Sequence, residues 1–248
     1  MKFFKLSILT LLLSLLHVVH VQAFEIREVE SPKGIKAWLV SDKTVPLITM
    51  RFSFRGGTIN DPESAPGRSY FLSGMLDEGA GELKSQEFQQ RMSELAMRMS
   101  YDTDREFFTG SFQTLSENKD AAFELLRLAV TEPRFDAEPM DKVRGQILLG
   151  IKGDEENPGR IASKALLKTM LGDHPYARVA KGDTDSVSAM KPQDLKDAWS
   201  SIFVREHLQI AVVGDITAEE LGPLLDKVFG ALPKQGKKIS IPDLKAPE

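Results

Sequence analysis

The chain has 248 residues, with 32 Lys+Arg against 36 Asp+Glu and a formal net charge of −4, and 42% of its residues are hydrophobic. This composition fits one large globular domain or two small ones and excludes disordered, collagen-like and coiled-coil classes. There is no Cys, which excludes disulfides, thiol catalysis, cysteine-ligated zinc and cysteine-ligated iron–sulfur clusters.

The first 23 residues have the pattern of a secretory signal peptide. Two lysines precede an apolar run over residues 6–16, and Val21-Gln22-Ala23 resembles a cleavage site. We predict a mature protein that begins at Phe24, is exported to the periplasm and has no membrane attachment. An uncleaved membrane anchor is the alternative, because residues 6–24 carry no charge. Cleavage leaves 30 Lys+Arg against 36 Asp+Glu, a net charge of −6, which disfavours nucleic acid as a partner.

Hydrophobic periodicity predicts an α+β fold for residues 24–232, followed by the start of a linker over 233–248 that is rich in Lys, Gly and Pro. The predicted elements in chain order are strands 24–29, 35–40 and 47–54; helices 67–76 and from 85 onward; a hairpin of 101–104 with 106–115; a helix capped near Ser116 and ended by Pro133; a helix opened by Asp136 and stopped by Asn157-Pro158-Gly159; helices 161–170 and from Pro192; a fully buried strand 208–213; and a helix opened by the Thr217-x-x-Glu220 capping box and ended by Gly230.

Isolated residues give weak signals for chemistry. The mature chain keeps two histidines, His174 and His207, and neither has a second histidine at metal-ligand spacing, so both are predicted to be structural or exposed. Ser73 lacks the Gly-x-Ser-x-Gly context of a serine hydrolase. The acidic pair Asp77-Glu78 follows a predicted helix, where carboxylates are electrostatically unfavourable. This placement hints at a contact, but we expect a solvated loop.

Five short motifs follow one another along nearly all of the mature chain. They are Phe54-x-Gly56-Gly57-x-x-x-Asp61-Pro62, Gly67-x-x-Tyr70-Phe71-Leu72-x-x-Met75-Leu76, Glu156-Asn157-Pro158, His174-Pro175-Tyr176 and Val212-Val213-Gly214-Asp215. In this order and spacing the set resembles the insulinase or pitrilysin family of metallopeptidases, the inverzincins. The resemblance implies one half-unit of the family's clamshell, similar to that of mitochondrial processing peptidase, with a mixed sheet and helices packed on one face.

Active members of that family carry His-x-x-Glu-His on the first of these helices, where two histidines bind zinc and the glutamate is the general base. A glutamate from a later helix is the third ligand. The resemblance places Tyr70 and Gly74 at the two histidines, Ser73 at the base and Gly150 at the later glutamate. Glycine has no side chain, and neutral Tyr and Ser cannot replace these groups. The sequence therefore predicts no catalytic residue, no metal and no cofactor in this chain.

Tyr70, Ser73 and Gly74 share one face of the predicted helix, and we predict that this face contacts substrate or a partner. A glycine within a helix costs about 1 kcal/mol relative to alanine. Close approach of another backbone or of a substrate segment would explain Gly74, and a tolerated local weakness is the alternative.

The resemblance implies a non-catalytic subunit of an exported zinc metallopeptidase complex. Such a subunit would enclose or hold peptide substrate while a catalytic subunit of the same family carries the zinc. Two alternatives stay open: a structural or peptide-binding scaffold without a peptidase partner, and a peptidase whose catalytic residues lie outside this segment or include His174 and His207. Because the chain supplies one half-unit and the start of a linker, it resembles the N-terminal portion of a longer protein or a truncated one.

Overall fold

The computed structural model describes residues 25–237 and 241–244, so the predicted signal peptide and part of the predicted linker lie outside the described residues. The strands are β1 (Arg27–Glu30), β2 (Lys36–Ser41), β3 (Leu47–Arg55), β4 (Gly79–Ala80), β5 (Leu83–Lys84), β6 (Arg98–Thr103), β7 (Phe107–Leu115) and β8 (Gln209–Gly214). The α-helices are α1 (Arg68–Ser73), α2 (Ser85–Glu94), α3 (Lys119–Thr131), α4 (Ala137–Glu156), α5 (Pro158–Leu171), α6 (Thr184–Ala189), α7 (Pro192–Ile202) and α8 (Ala218–Phe229). Within the described ranges, no helix is long and apolar enough to cross a membrane.

Six strands form one mixed sheet in the order β1-β2-β8-β3-β7-β6. Strands β2 and β8 run parallel, and every other neighbouring pair is antiparallel. The two short strands β4 and β5 pair separately. Strand β6 is an edge of the main sheet, because in the described residues it pairs with β7 alone.

One face of this sheet carries the hydrophobic core. Along β3 the residues Ile48, Met50, Phe52 and Phe54 alternate inward and are fully buried, as their period-2 spacing predicts. Helices α3 and α8 cover this face. The ring centroids of Phe52 on β3 and Phe229 on α8 lie 5.2 Å apart. The other face leaves Trp38 and Val213 half exposed. The predicted α+β fold, a mixed sheet with helices packed on one face, is confirmed.

Two predictions about single elements are wrong. The strand near residue 210 is not fully buried, because only one sheet face is covered: Ile210 and Val212 point inward while Val213 is 49% exposed. The helix predicted over 67–76 ends at Ser73, and Gly74 is its C-cap with φ −83° and ψ −2°. Gly74 therefore lies at a helix end, where the backbone continues in tight turns, and not within a helix.

Three short elements, one helix and two strands, have no counterpart among the predicted ones. Helix α6 is opened by Asp183, whose carboxylate accepts a hydrogen bond from the backbone N–H of Ser186. This helix has six residues, which are too few to show a clear helical period in the sequence. The paired strands β4 and β5 are two residues each, which is below the length at which alternation is visible.

The start of α1 is held by a buried carboxylate, Asp61. It accepts hydrogen bonds from the backbone N–H of Ser69 at 3.1 Å and from the Ser69 hydroxyl at 2.5 Å. The guanidinium of Arg68 lies 3.9 Å away. Burial raises the pKa of Asp61 to about 6, and the Ser69 hydrogen bonds and the Arg68 charge act against this rise.

This raised pKa predicts a pH dependence of stability. Because Asp61 holds its proton more tightly in the folded chain than in the unfolded one, its contribution is complete below the ordinary pKa of 3.8 and is lost as the pH rises through about 6. Relative to Asp61→Asn, the wild type should lose up to about 3 kcal/mol of unfolding free energy between pH 4 and pH 7. Urea denaturation of both proteins across this range measures the difference, and parallel pH curves would contradict it.

Candidate functional site

The four positions singled out by the resemblance come together in the fold. Tyr70, Ser73 and Gly74 at the end of α1 and Gly150 on α4 line one pocket of about 270 Å³, here named the α1–α4 pocket. The edge strand β6 forms another wall through Tyr101 and Asp102. Residues that are 76 or more positions apart in sequence thus meet in one concave site, where α1, α4 and β6 converge.

The predicted contact residues are already engaged with their own domain. The hydroxyl of Ser73 donates a hydrogen bond to the carbonyl of Tyr70, and Ser73 is buried while Tyr70 is half-buried. A Cβ placed on Gly74 would lie 3.0 Å from Cγ1 of Val143 on α4. In the described residues the close neighbour of Gly74 is therefore a side chain of α4, which explains why residue 74 is small.

Lys181 also lines the pocket, although no motif of the sequence marks it as a site residue. Its ammonium lies on the pocket wall and donates to Oδ2 of Asp154, on the last part of α4, at 2.7 Å. A Cβ on Gly150 would lie 3.5 Å from this ammonium. The contact joins residues 27 positions apart, so no local sequence pattern indicates it.

The backbone at Lys181 is fixed by two interlocking glycine turns. Gly67 has φ +84° and Gly182 has φ +76°, both in the left-handed region that favours glycine. A Cβ on Gly67 would lie 2.4 Å from the carbonyl oxygen of Lys181, and one on Gly182 would lie 2.3 Å from the carbonyl oxygen of Pro66. The loop that carries Lys181 therefore packs directly against the start of α1.

The residues of this pocket do not fit a zinc ion. The positions at Tyr70, Ser73, Gly74 and Gly150 offer a phenol, a hydroxyl already bonded to backbone and two glycines, whereas a zinc site needs imidazole, carboxylate or thiolate ligands. The place beside Gly150 is taken by a positive ammonium. Over residues 25–237 and 241–244, no group of three or more His, Cys, Asp or Glu side chains is placed to hold a metal.

The two histidines lie apart from each other and from the pocket. His174 caps the short turn Pro175–Ala177: its Nδ1 accepts from the backbone N–H of Tyr176 at 3.1 Å, so its Nε2 carries the proton and donates to the carbonyl of Pro242 at 2.9 Å. His207 lies in an exposed turn that lines a different cleft. This arrangement matches the structural and exposed roles expected of the two histidines.

The acidic pair at 77 and 78 is not in a solvated loop, contrary to the prediction. Glu78 is buried, and its carboxylate accepts from the Ser85 hydroxyl and from the Lys142 ammonium, each at 2.6 Å. Burial raises the pKa of Asp77, which is half-buried beside it. Lys142 belongs to α4, 64 residues away, so local sequence gave no sign of this pairing.

The mixed sheet with helices on one face matches the half-unit that the resemblance to the clamshell metallopeptidases implies, and comparison with known proteins identifies the family. The family profile described as insulinase (peptidase family M16) matches residues 36–184. A second profile, described as the peptidase M16 inactive domain, matches residues 189–248. This chain belongs to the insulinase family, peptidase family M16.

Individual relatives include proteins with and without a peptidase name. A Helicobacter pylori protein named non-peptidase homolog YmxG is 25% identical over 238 residues, which cover 96% of this chain and 55% of the relative. A Bacillus subtilis protein named uncharacterized zinc protease YmxG is 20% identical over 208 residues, which cover 84% of this chain and 51% of the relative. The chain thus spans about half the length of these relatives.

Solved structures share the same fold. The peptidase M16 inactive domain from Pseudomonas fluorescens has a TM-score of 0.82 at 25% identity, covering 89% of this chain and 54% of the solved one. The periplasmic protease PqqL from Escherichia coli has a TM-score of 0.77 at 14% identity, covering 90% of this chain and 26% of the solved one. The second likeness, at this identity, concerns the fold alone.

The Val143 contact predicts a cost for any side chain at residue 74. Gly74→Ala should lower the unfolding free energy by about 1 kcal/mol, because the new methyl group would crowd Cγ1 of Val143. In a Val143→Ala background the same change should cost less, which gives a coupling energy of about 1 kcal/mol. Urea denaturation of the four proteins measures this cycle. An equal cost in both backgrounds would show that Val143 is not the neighbour that requires glycine.

Proposed function

We propose that this chain is a non-catalytic subunit of an exported zinc metallopeptidase complex and holds peptide for a catalytic partner of the same family. One observation carries the proposal: the α1–α4 pocket is a concave site whose four motif positions and Lys181 leave no place for a catalytic zinc. The non-peptidase name of the Helicobacter pylori relative supports the same reading.

The position of the pocket favours an extended peptide as its ligand. Strand β6 is an open edge among the described strands, and its residues Tyr101 and Asp102 line the pocket. An edge strand can pair with an added strand through main-chain hydrogen bonds, which do not depend on the sequence of the added chain. A peptide that pairs with β6 would therefore pass directly over the pocket.

The surface of α5 supports a protein partner. None of its 14 residues is buried, and Ile161, Leu166 and Met170 are each at least half exposed. The small residues Ala162 and Ala165 lie between them on the same outward side, a pattern that allows another helix to pack closely. We assign this outward side of α5 to contact with the catalytic subunit.

Export to the periplasm is part of the proposal. It rests on the signal-like pattern of residues 1–23 and on the acidic composition of the remaining chain. One solved protein of the same fold, PqqL from Escherichia coli, is described as periplasmic.

We expect that the purified chain alone hydrolyses no peptide and keeps no stoichiometric zinc after dialysis. It should nevertheless bind added peptide. A co-expressed family member from the same organism with an intact His-x-x-Glu-His motif should co-purify with it and show higher peptidase activity in its presence. Metal analysis, a peptidase assay and co-purification measure these outcomes. One tightly held zinc per chain, or hydrolysis by the chain alone, would contradict the proposal.

A matched pair of variants tests the assigned partner surface. Leu166→Asp places a charge at the exposed apolar side of α5 and should abolish co-purification and the gain in activity. Lys196→Asp, exposed on α7 and outside that surface, is the control and should leave both unchanged. If both variants co-purify equally well with the catalytic subunit, α5 is not the contact surface. If wild type also fails to co-purify, a scaffold without a peptidase partner is favoured.

A further inference from the structure

Lys181 lines the α1–α4 pocket, and both its backbone and its ammonium are held by contacts with other segments. Its backbone is packed against the start of α1 by the interlocking turns of Gly67 and Gly182, and its side chain reaches α4 at Asp154. The side chain is 27% exposed and its carboxylate partner 33%. A long flexible side chain is thus held at both ends, so little conformational freedom remains to be lost when its ammonium binds a ligand.

Gly150 lies beside this ammonium. Helix α4 contains the glycines 145, 150 and 153, and Gly150 is the one of these three whose Cβ position has an atom of another described residue within 4 Å. The ammonium lies 3.5 Å from where the Cβ of residue 150 would be, and a longer side chain would occupy its place. The position that the family resemblance assigns to a zinc ligand therefore lies beside a cation that the chain itself supplies.

The ammonium retains donors for a ligand. Lysine has three N–H donors, and within the described part of the chain Asp154 is the one acceptor that Lys181 bonds. The other groups of the pocket wall include the phenol of Tyr70, the amide of Gln146 and one carboxylate, that of Asp102. The wall can therefore donate hydrogen bonds, but a single carboxylate is not the set of ligands that a catalytic zinc needs. Main-chain oxygens of a peptide are acceptors of the matching kind.

We infer that the Lys181 ammonium binds a main-chain oxygen of a peptide seated in the α1–α4 pocket, either a carbonyl within the peptide or its C-terminal carboxylate. The inference rests on the proposed function, because it assumes that the pocket holds peptide. A strand paired with β6 would carry its carbonyl groups past Tyr101 and Asp102 and so past the pocket. Lys181 then fixes the peptide where an active relative would polarise it with a metal.

The test uses a fluorescein-labelled twelve-residue peptide of Val, Thr and Ser, made with a C-terminal amide and with a free carboxylate, and anisotropy titrations of the full chain. Lys181→Met should weaken binding by about tenfold or more, whereas Lys181→Arg should stay within about threefold of wild type. Lys152→Met removes an exposed charge from the same helix that carries Gly150, outside the pocket, and should bind as wild type does. A loss confined to the free-acid peptide identifies the carboxylate as the bound group, and equal losses identify an internal carbonyl.

A second variant covers the case in which Lys181→Met does not fold. Gly150→Met improves helix propensity and places its side chain where the ammonium lies, so it should also weaken binding without lowering the melting temperature. If wild type binds neither peptide, both the proposed function and this inference are wrong. If wild type binds and the folded Lys181→Met and Gly150→Met proteins bind equally well, the inference alone is wrong.

Discussion

The close packing of two glycine turns, Pro66–Gly67 against Lys181–Gly182, is the constraint on which the site depends. Carbonyl oxygens of each turn occupy the space that a Cβ on the other would need, so neither glycine can be replaced without moving backbone. This contact fixes where α1 begins, and it also fixes the base of the Lys181 side chain. The shape of the α1–α4 pocket and the charge within it therefore have one structural origin.

The pocket differs from a zinc site both in its ligands, which are missing at all four motif positions, and in its charge, because an ammonium lies in its wall. The ammonium of Lys181 lies beside Gly150, and the residue at the C-cap of α1 is limited in size by Val143. A divalent cation placed near a fixed ammonium would be repelled, and the ion pair with Asp154 leaves that carboxylate engaged. What remains is a concave surface with hydrogen-bond donors beside an open strand edge, which suits a peptide main chain better than a metal.

Periodicity and motif order were sufficient for the frame of the molecule. The alternation in Leu47–Phe54 predicted a strand, the Thr217-x-x-Glu220 box predicted the start of α8, and five ordered motifs predicted the family. These signals are local, or depend on order along the chain, so a single sequence contains them. The convergence of residues 70, 73, 74 and 150 followed from the family resemblance and not from their spacing.

The features that sequence reasoning missed depend on contacts between distant segments. Lys181 reaches Asp154 and Glu78 reaches Lys142 through tertiary packing that no local pattern encodes. The sequence predicted too long a helix α1 because the apolar residues Phe71, Leu72, Met75 and Leu76 recur at helical spacing. All four are buried, but the helix ends before the last two, and the chain turns at Gly74. The burial of β8 was overestimated since its apolar run does not reveal that one sheet face lacks a cover.

A crystal structure of the full chain, grown with the peptide and with zinc in the solution, would show whether the α1–α4 pocket holds peptide through the Lys181 ammonium in place of a metal. We expect peptide density paired along β6, with a main-chain oxygen within about 3 Å of that ammonium and no metal in the pocket. A zinc ion bound in that pocket, or a peptide bound elsewhere with the Lys181 ammonium contacting Asp154 alone, would contradict this expectation.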